Sequence, residues 1–359
     1  MASGTVEALR ESYSRSALRK TAFVIGCAAA AASLFGASLA VGTRDLDAIS
    51  AYGLLFDHIM GVAHERGSQL WYDDNIVWNY RLPRAIFAMV AGAGLSVAGA
   101  VMQSVMKNPL ADPYTTGISS GALFGVAVAV ILGFSAGGGS SGFGVTLNAM
   151  IFALVPMMAI VSMSAYFRKS PSTLILAGVA ISYLFNAGAS LLMVSTSEED
   201  LASVYRWQIG DFSGLSWDAV PVALAVCAAG SAIAVILSGK LNLMVLDDKD
   251  ASSLGLNGDR LRTLCLIVLS VMAASVIAFV GVIGFVGLVV PHMARIALGA
   301  DNRYVVPASM AFGAAFVLAC DVVARSIDVN ASVPIGVVTS FVGAPIFLYL
   351  IIRSKSKVW

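Results

Sequence analysis

The side chains of this chain best equipped for chemistry stand where they can do little of it. Its four cysteines, Cys27, Cys227, Cys265 and Cys320, are widely separated singles inside apolar stretches, with no pair at the spacing of a metal or redox site. Small packing residues are their physical reading. The three histidines, His58, His64 and His292, form no His-x-x-x-His pair, so no metal site is expected. A phosphate-binding loop is missing as well: Gly239-Lys240 is followed by Leu241, and Ala234 stands where the earlier glycine is required. No catalytic residue is therefore expected, nor a cofactor bound by this chain. The exception among charged groups is Asp321 with Arg325, four apart in an apolar stretch, where helical spacing lets them pair. An ionisable group at membrane depth is a functional candidate by default, and a structural ion pair is the alternative.

The elements that must hold these residues are dictated by composition. The 359 residues are 58% hydrophobic and 12% charged, against roughly 45–50% and about 25% in soluble domains. Such a chain uses lipid as part of its solvent. A membrane-crossing helix needs about 20 mostly apolar residues, and candidate runs lie over 21–42, 84–106, 113–134, 146–167, 173–195, 217–238, 262–280, 284–299, 304–326 and 335–352. The run at 284–299 is short and interrupted by glycine. These spans define an all-α, polytopic membrane protein of about ten transmembrane helices, with a segment 1–20 before the membrane domain 21–352 and a tail 353–359 after it. Arg10, Arg15, Arg19 and Lys20 precede the first run as they would in a signal peptide, but the run exceeds the roughly 7–15 residues of such a segment, so a retained span is expected.

Orientation follows from the basic residues. With both termini on one side, that side holds 16 of the 22 lysines and arginines, among them Lys107, Arg168, Lys169, Lys240, Arg260 and Arg303, which predicts that both termini face the cytoplasm of a cell-membrane protein. The net charge of +1 gives no reason to expect nucleic acid as a partner. Trp71, Tyr72, Trp78, Tyr80, Tyr205, Trp207 and Trp217 fall in the opposite loops, as interfacial anchors would, and Gly137–Gly142 reads as a flexible loop there. Gly117, Gly121 and Gly125 line one helix stripe and allow close approach of a neighbouring backbone. Gly281, Gly284 and Gly287 form a second such run.

Two stretches carry a more specific pattern. The first is Arg81-Leu82-Pro83-Arg84, then Gly92, Gly94, Ala98-Gly99-Ala100 and Gln103, then Asn108-Pro109-Leu110-Ala111-Asp112-Pro113 and Gly117-Ile118-Ser119-Ser120-Gly121-Ala122. The second is Gly284-Phe285-Val286-Gly287-Leu288-Val289-Val290-Pro291-His292-Met293-Ala294-Arg295, then Asp321, Arg325, Pro334-Ile335-Gly336-Val337-Val338-Thr339 and Gly343-Ala344-Pro345. From Arg81 onward the chain resembles the iron-chelate and vitamin B12 permease family of type II ABC importers.

That resemblance implies a type II ABC importer permease fold. It also implies a second permease copy, identical or closely related, two cytoplasmic ATPase subunits that hold ATP and Mg, and a soluble extracytoplasmic binding protein that delivers a metal-chelate substrate. A ferric siderophore leads, with haem and cobalamin behind. Arg81, Arg84 and Arg325 would dock the binding protein, as fixed cations that steer an acidic partner. The loop 240–261 looks like the family's coupling element, with Leu246, Asp247, Ala251, Leu254, Gly255 and Leu256 its candidate contacts to the ATPase. Apolar residues at 243, 246, 251 and 254 suit a short amphipathic element that docks in a groove. Asn108 and Leu110 match the cytoplasmic gate, with Ser172 as its other side, although Pro171 departs from the family pattern there. His292 is expected to support packing or ATPase contact rather than catalysis. An ion-gradient-driven secondary transporter is the rival reading, disfavoured by the lack of an intramembrane acid relay, and a membrane scaffold is a second.

Overall fold

The computed structural model describes residues 2–353 apart from 43, 45, 137–141, 165–170, 247 and 328–332. Among the described residues every regular element is a helix: α1 (Ala2–Ala40), α2 (Ala48–Ile59), α3 (Gln69–Ile76) running through a π-helical turn into α4 (Leu82–Val105), α5 (Ile118–Ile131), α6 (Gly142–Ser164), α7 (Pro171–Val194), α8 (Glu198–Ile209), α9 (Ala219–Leu243), α10 (Asp248–Ser253), α11 (Gly258–Val280), α12 (Val286–Leu298), α13 (Asn302–Ile327) and α14 (Ile335–Arg353).

Eight of the expected spans are helices long and apolar enough to cross a membrane. The other two hold shorter apolar helices. The run 113–134 is a 3-10 turn, Pro113–Thr116, followed by the 14-residue α5. The run 284–299 yields only the 13-residue α12. At 1.5 Å per residue each is about 20 Å long, short of the roughly 30 Å hydrocarbon layer. Residues 281–285, between α11 and α12, are not helical. Non-helical backbone at membrane depth survives only where protein or a water-filled path covers it. Here the cover is protein: a Cβ on Gly210 or on Gly336 would overlap or crowd the Val282 carbonyl oxygen, and Asp211 N donates to Val280 O at 2.9 Å.

α4 is the hub, with 83% of its most apolar window buried. The reason is its glycines and alanines, which bring neighbouring backbones against it. A Cβ on Gly92 would overlap the carbonyl oxygen of Gly313 on α13, and one on Gly99 that of Gly287 on α12. The stripe expected at Gly117, Gly121 and Gly125 behaves likewise: its last two members seat α6, where a Cβ would meet the carbonyl oxygens of Phe152 and Asn148. Cys227 and Cys320 are buried in the larger core cluster and Cys265 in a second one, as packing residues. Of the aromatic anchors, Tyr72, Tyr80 and Tyr205 are exposed, whereas Trp78 and Trp217 pack on each other with ring centroids 5.4 Å apart. His58 stacks on Trp78 at 4.0 Å and bonds Asp74 at 2.9 Å.

Candidate functional site

Two clusters of polar residues mark opposite ends of the bundle. At one end α4, α12 and α13 meet the loop that follows α9. Arg295, 2% exposed, donates to Ala100 O at 3.0 Å, Ser104 Oγ at 2.7 Å and Asn302 Oδ1 at 3.1 Å, pinning α12 to α4 and to the start of α13. Gln103 extends the pin by donating to Leu288 O at 3.1 Å. Asn242, at the end of α9, donates to Asp301 Oδ1 at 2.7 Å and accepts from Asn302 N at 2.8 Å. The point from which the coupling loop departs is thereby fixed to the N-terminus of α13. His292 lies in the same region, buried, as a packing residue.

Asp301 gives this bracket a pH signature. Burial opposes its charge, but hydrogen bonds from Arg303 and Asn242 outweigh it and hold the carboxyl down at about 2. A depressed folded pKa contributes stability that is present above the ordinary carboxylate range and lost as pH falls through about 2. Asp301→Asn is therefore expected to unfold earlier than the parent at about pH 5 and to lose that deficit towards about pH 2, measured as thermal unfolding in detergent. Parallel curves at every pH would count against this role.

The gate residues expected from sequence form one turn. Asn108 Oδ1 accepts from Leu110 N at 2.9 Å, and Asn108 N donates to Gln103 O at 3.1 Å, which ties the turn to the end of α4. Leu110 is 48% exposed at its tip. Ser172 falls in the first turn of α7, with its side chain outside the described residues.

In the coupling loop the expected contacts separate into two sets. Leu246 and Leu254 are exposed, while Ala251 is buried and Leu256 packs against the second core cluster. α10 is stopped by Gly255 at φ +79°, a left-handed position that suits glycine. Ala251, Gly255 and Leu256, with Met244, Asn257 and Arg262, line a recess of about 410 Å³. Asp247 lies outside the described residues.

At the opposite end the three arginines expected to dock a partner are turned inward. Helix α1 ends there, and its last carbonyls have no partner within the helix. Arg81 donates to Leu39 O at 2.8 Å and Ala40 O at 2.7 Å, and Arg325 to Ser38 O at 2.9 Å and Val41 O at 2.6 Å, so two cations cap the negative end of one helix. Asp321, fully buried, pairs with Arg84 at 2.8 Å and with Arg325 at 2.8 Å. The Asp321–Arg325 pair expected from spacing is thus present. Arg81 is 4% and Arg325 8% exposed, because α1 and Asp321 engage their guanidinium groups.

Sequence reasoning had no signal for Arg295 and Asn242 as brackets, since their partners lie on other helices. Lys107 was visible only as a basic residue beside the Asn108 motif, and its hydrogen bond to Leu246 O is a product of the fold.

A helical domain with long apolar spans, a polar bracket under one loop and a buried ion cluster at the far end is the architecture of a multi-pass membrane protein. The chain matches the FecCD transport family over residues 26–353, and it belongs to that family. It is 38% identical over 277 residues to the Cobalamin import system permease protein BtuC of Halobacterium salinarum, covering 77% of this chain and 73% of the relative. To the Hemin transport system permease protein HmuU of Yersinia pestis it is 32% identical over 320 residues, covering 89% and 93%. A solved structure described as an inward-facing conformation of a metal-chelate type ABC transporter superimposes with a TM-score of 0.79 at 31% identity, covering 92% of this chain and 98% of that one.

Proposed function

We propose that this chain is the membrane permease of an ATP-driven importer in the cell membrane, paired with a second permease copy, two cytoplasmic ATPase subunits and an extracytoplasmic binding protein. Its cargo is a metal chelate, a ferric siderophore ahead of haem or cobalamin. The observation that carries the reading is the coupling end: Leu246 and Leu254 are exposed on a loop that also lines a recess through Ala251, Gly255 and Leu256, and whose root is bracketed by Asn242 and Asp301. Exposed leucines beside a groove are what a partner subunit grips. The import relatives, for cobalamin and for hemin, support the class of cargo. The second copy would cover α7 and α14, whose apolar windows are only 17% and 28% buried. The excess of basic residues at the coupling end supports a cytoplasmic position for that end and for both termini.

In this mechanism ATP binds the two conformations of the assembly with different affinity, which shifts access to the central path from one side to the other. At the far end a docked binding protein meets a rim held rigid from beneath by Arg81, Arg84, Asp321 and Arg325. The test is uptake into proteoliposomes containing permease, ATPase and binding protein, offered ferric siderophores, haem, cobalamin and simple oxyanions. Uptake of one chelate, abolished by omitting either partner or ATP, is expected. Uptake that survives ATP depletion would favour the ion-gradient carrier, and uptake of an oxyanion alone would remove the chelate assignment.

A further inference from the structure

We propose that Lys107 is the strut that carries movement of the coupling loop into the gate turn, a positioning role that rests on the transporter reading above. Its Nζ donates to the carbonyl of Leu246 at 2.7 Å, joining residues 139 positions apart on two different loops. Leu246 is the residue whose exposed side chain would be gripped by the ATPase, so its carbonyl lies one residue's width from the applied force. On the other side of the strut the backbone passes directly into Asn108.

The gate turn is built to move as a unit once its root is displaced. Asn108 closes on Leu110 N at 2.9 Å and on Ala111 N at 3.1 Å, so the residues from 108 to 111 share one small set of internal hydrogen bonds. The end of α4 is separately held: Arg262 of α11 reaches Val105 O at 3.5 Å and Arg295 grips Ala100 and Ser104. The bend between the end of α4 and this turn falls at Lys107 itself, with Asn108 N bonded back to Gln103 O across it.

A second observation marks that joint. Lys107 has φ +50°, and only it and Phe285 are positive-φ residues other than glycine among the described residues. For a side chain of this kind the left-handed region is disfavoured. A surface lysine bonded to a carbonyl is ordinarily incidental. Here it is held in an unfavourable backbone well, in the one place where the side chain spans the gap to the coupling loop. Strain of this sort is characteristic of elements with two arrangements.

The experiment uses the assembled permease and ATPase, with Cys27→Ser to remove the half-exposed native thiol and Leu110→Cys as a reporter of the gate. The rate of maleimide labelling at position 110 is measured with and without ATP. The response to ATP is expected to fall by at least about fivefold, the lower end of coupling between distinct sites, in Lys107→Met and in Lys107→Asn. The asparagine tolerates the left-handed backbone, so it separates the lost reach from altered strain. Lys107→Arg, which keeps a donor at similar reach, is expected to preserve the response. In the permease alone, hydrogen exchange at residues 108–112 should quicken in Lys107→Asn and stay unchanged in Lys107→Arg, a readout that does not depend on assembly. An ATP response retained in both the methionine and asparagine variants overturns the strut, as does failure of the arginine variant to preserve it. Absence of any ATP response in the unsubstituted assembly overturns instead the transporter reading beneath it.

Discussion

Asp321→Ala is expected to destabilise the protein by about 3–5 kcal/mol, the cost of removing one partner from a buried ion cluster. Asp321 has no exposed surface, and its two oxygens face Arg84 and Arg325, each at 2.8 Å. Removing the carboxylate leaves two guanidinium charges close together in an apolar surround, so they repel where they were bridged. The damage should spread to α1, because Arg325 also holds Ser38 O and Val41 O. A lowered thermal midpoint in detergent, with faster hydrogen exchange at the end of α1, is the expected record. Replacing all three charged residues by apolar ones of similar volume should recover much of the loss, since a dry apolar cluster escapes the desolvation cost of ions. A single alanine variant as stable as the parent would show that the cluster is well hydrated and that its burial is not what holds it.

Gly99→Val is expected to prevent α12 from seating on α4. The Cβ of any larger residue would overlap the Gly287 carbonyl oxygen and crowd its backbone, which no rotamer change can relieve. Overpacking typically costs roughly 1–3 kcal/mol where side chains can shift, and here the obstacle is main chain, so the upper end or beyond is expected. Separation of the two helices also breaks the reach of Arg295 to Ala100 and Ser104, adding an unmet buried cation to the steric cost. Gly26→Ala in α1 is the matched control: nothing lies within 4 Å of its Cβ, and the helix gains the roughly 0.5–1 kcal/mol by which alanine exceeds glycine. Expression and monodispersity in detergent separate the two outcomes, and a well-folded valine variant at position 99 would refute the backbone contact.

Both results concern contacts that the sequence does not display. Arg81, Arg84 and Arg325 read from the sequence as cations at the mouth of the bundle, and their positions at one end are as expected. Their direction is not. Whether an arginine faces water or a helix terminus depends on where another helix ends, and α1 ends about 40 residues before Arg81 and well over 200 before Arg325. The same limit applies to Lys107, whose partner Leu246 belongs to another loop. It applies again to the apolar coupling residues: spacing placed Leu246, Ala251 and Leu254 together on an amphipathic element, but packing buries Ala251 while leaving Leu246 and Leu254 outside.

The spans show where the boundary runs. Hydropathy located ten apolar segments because burial in lipid demands only composition and length, both of which are local. It could not tell that those at 113–134 and 284–299 are broken into short helices. Backbone leaves the helix at membrane depth only if neighbouring segments cover it, and that cover comes from Gly210 and Gly336, far away in the chain.

What the sequence determined by itself was the class of solvent, the number of apolar segments, the close-packing stripe at Gly121 and Gly125 and the family, since each rests on residues read in order along one segment. The run Gly281, Gly284 and Gly287 lines no single helix, because residues 281–285 are not helical. Only the tertiary structure decided which cations are spent on helix ends, which spans are interrupted and which loops touch. Hydrogen bonds and backbone contacts between distant segments are made by geometry in three dimensions, and one-dimensional spacing carries no record of them.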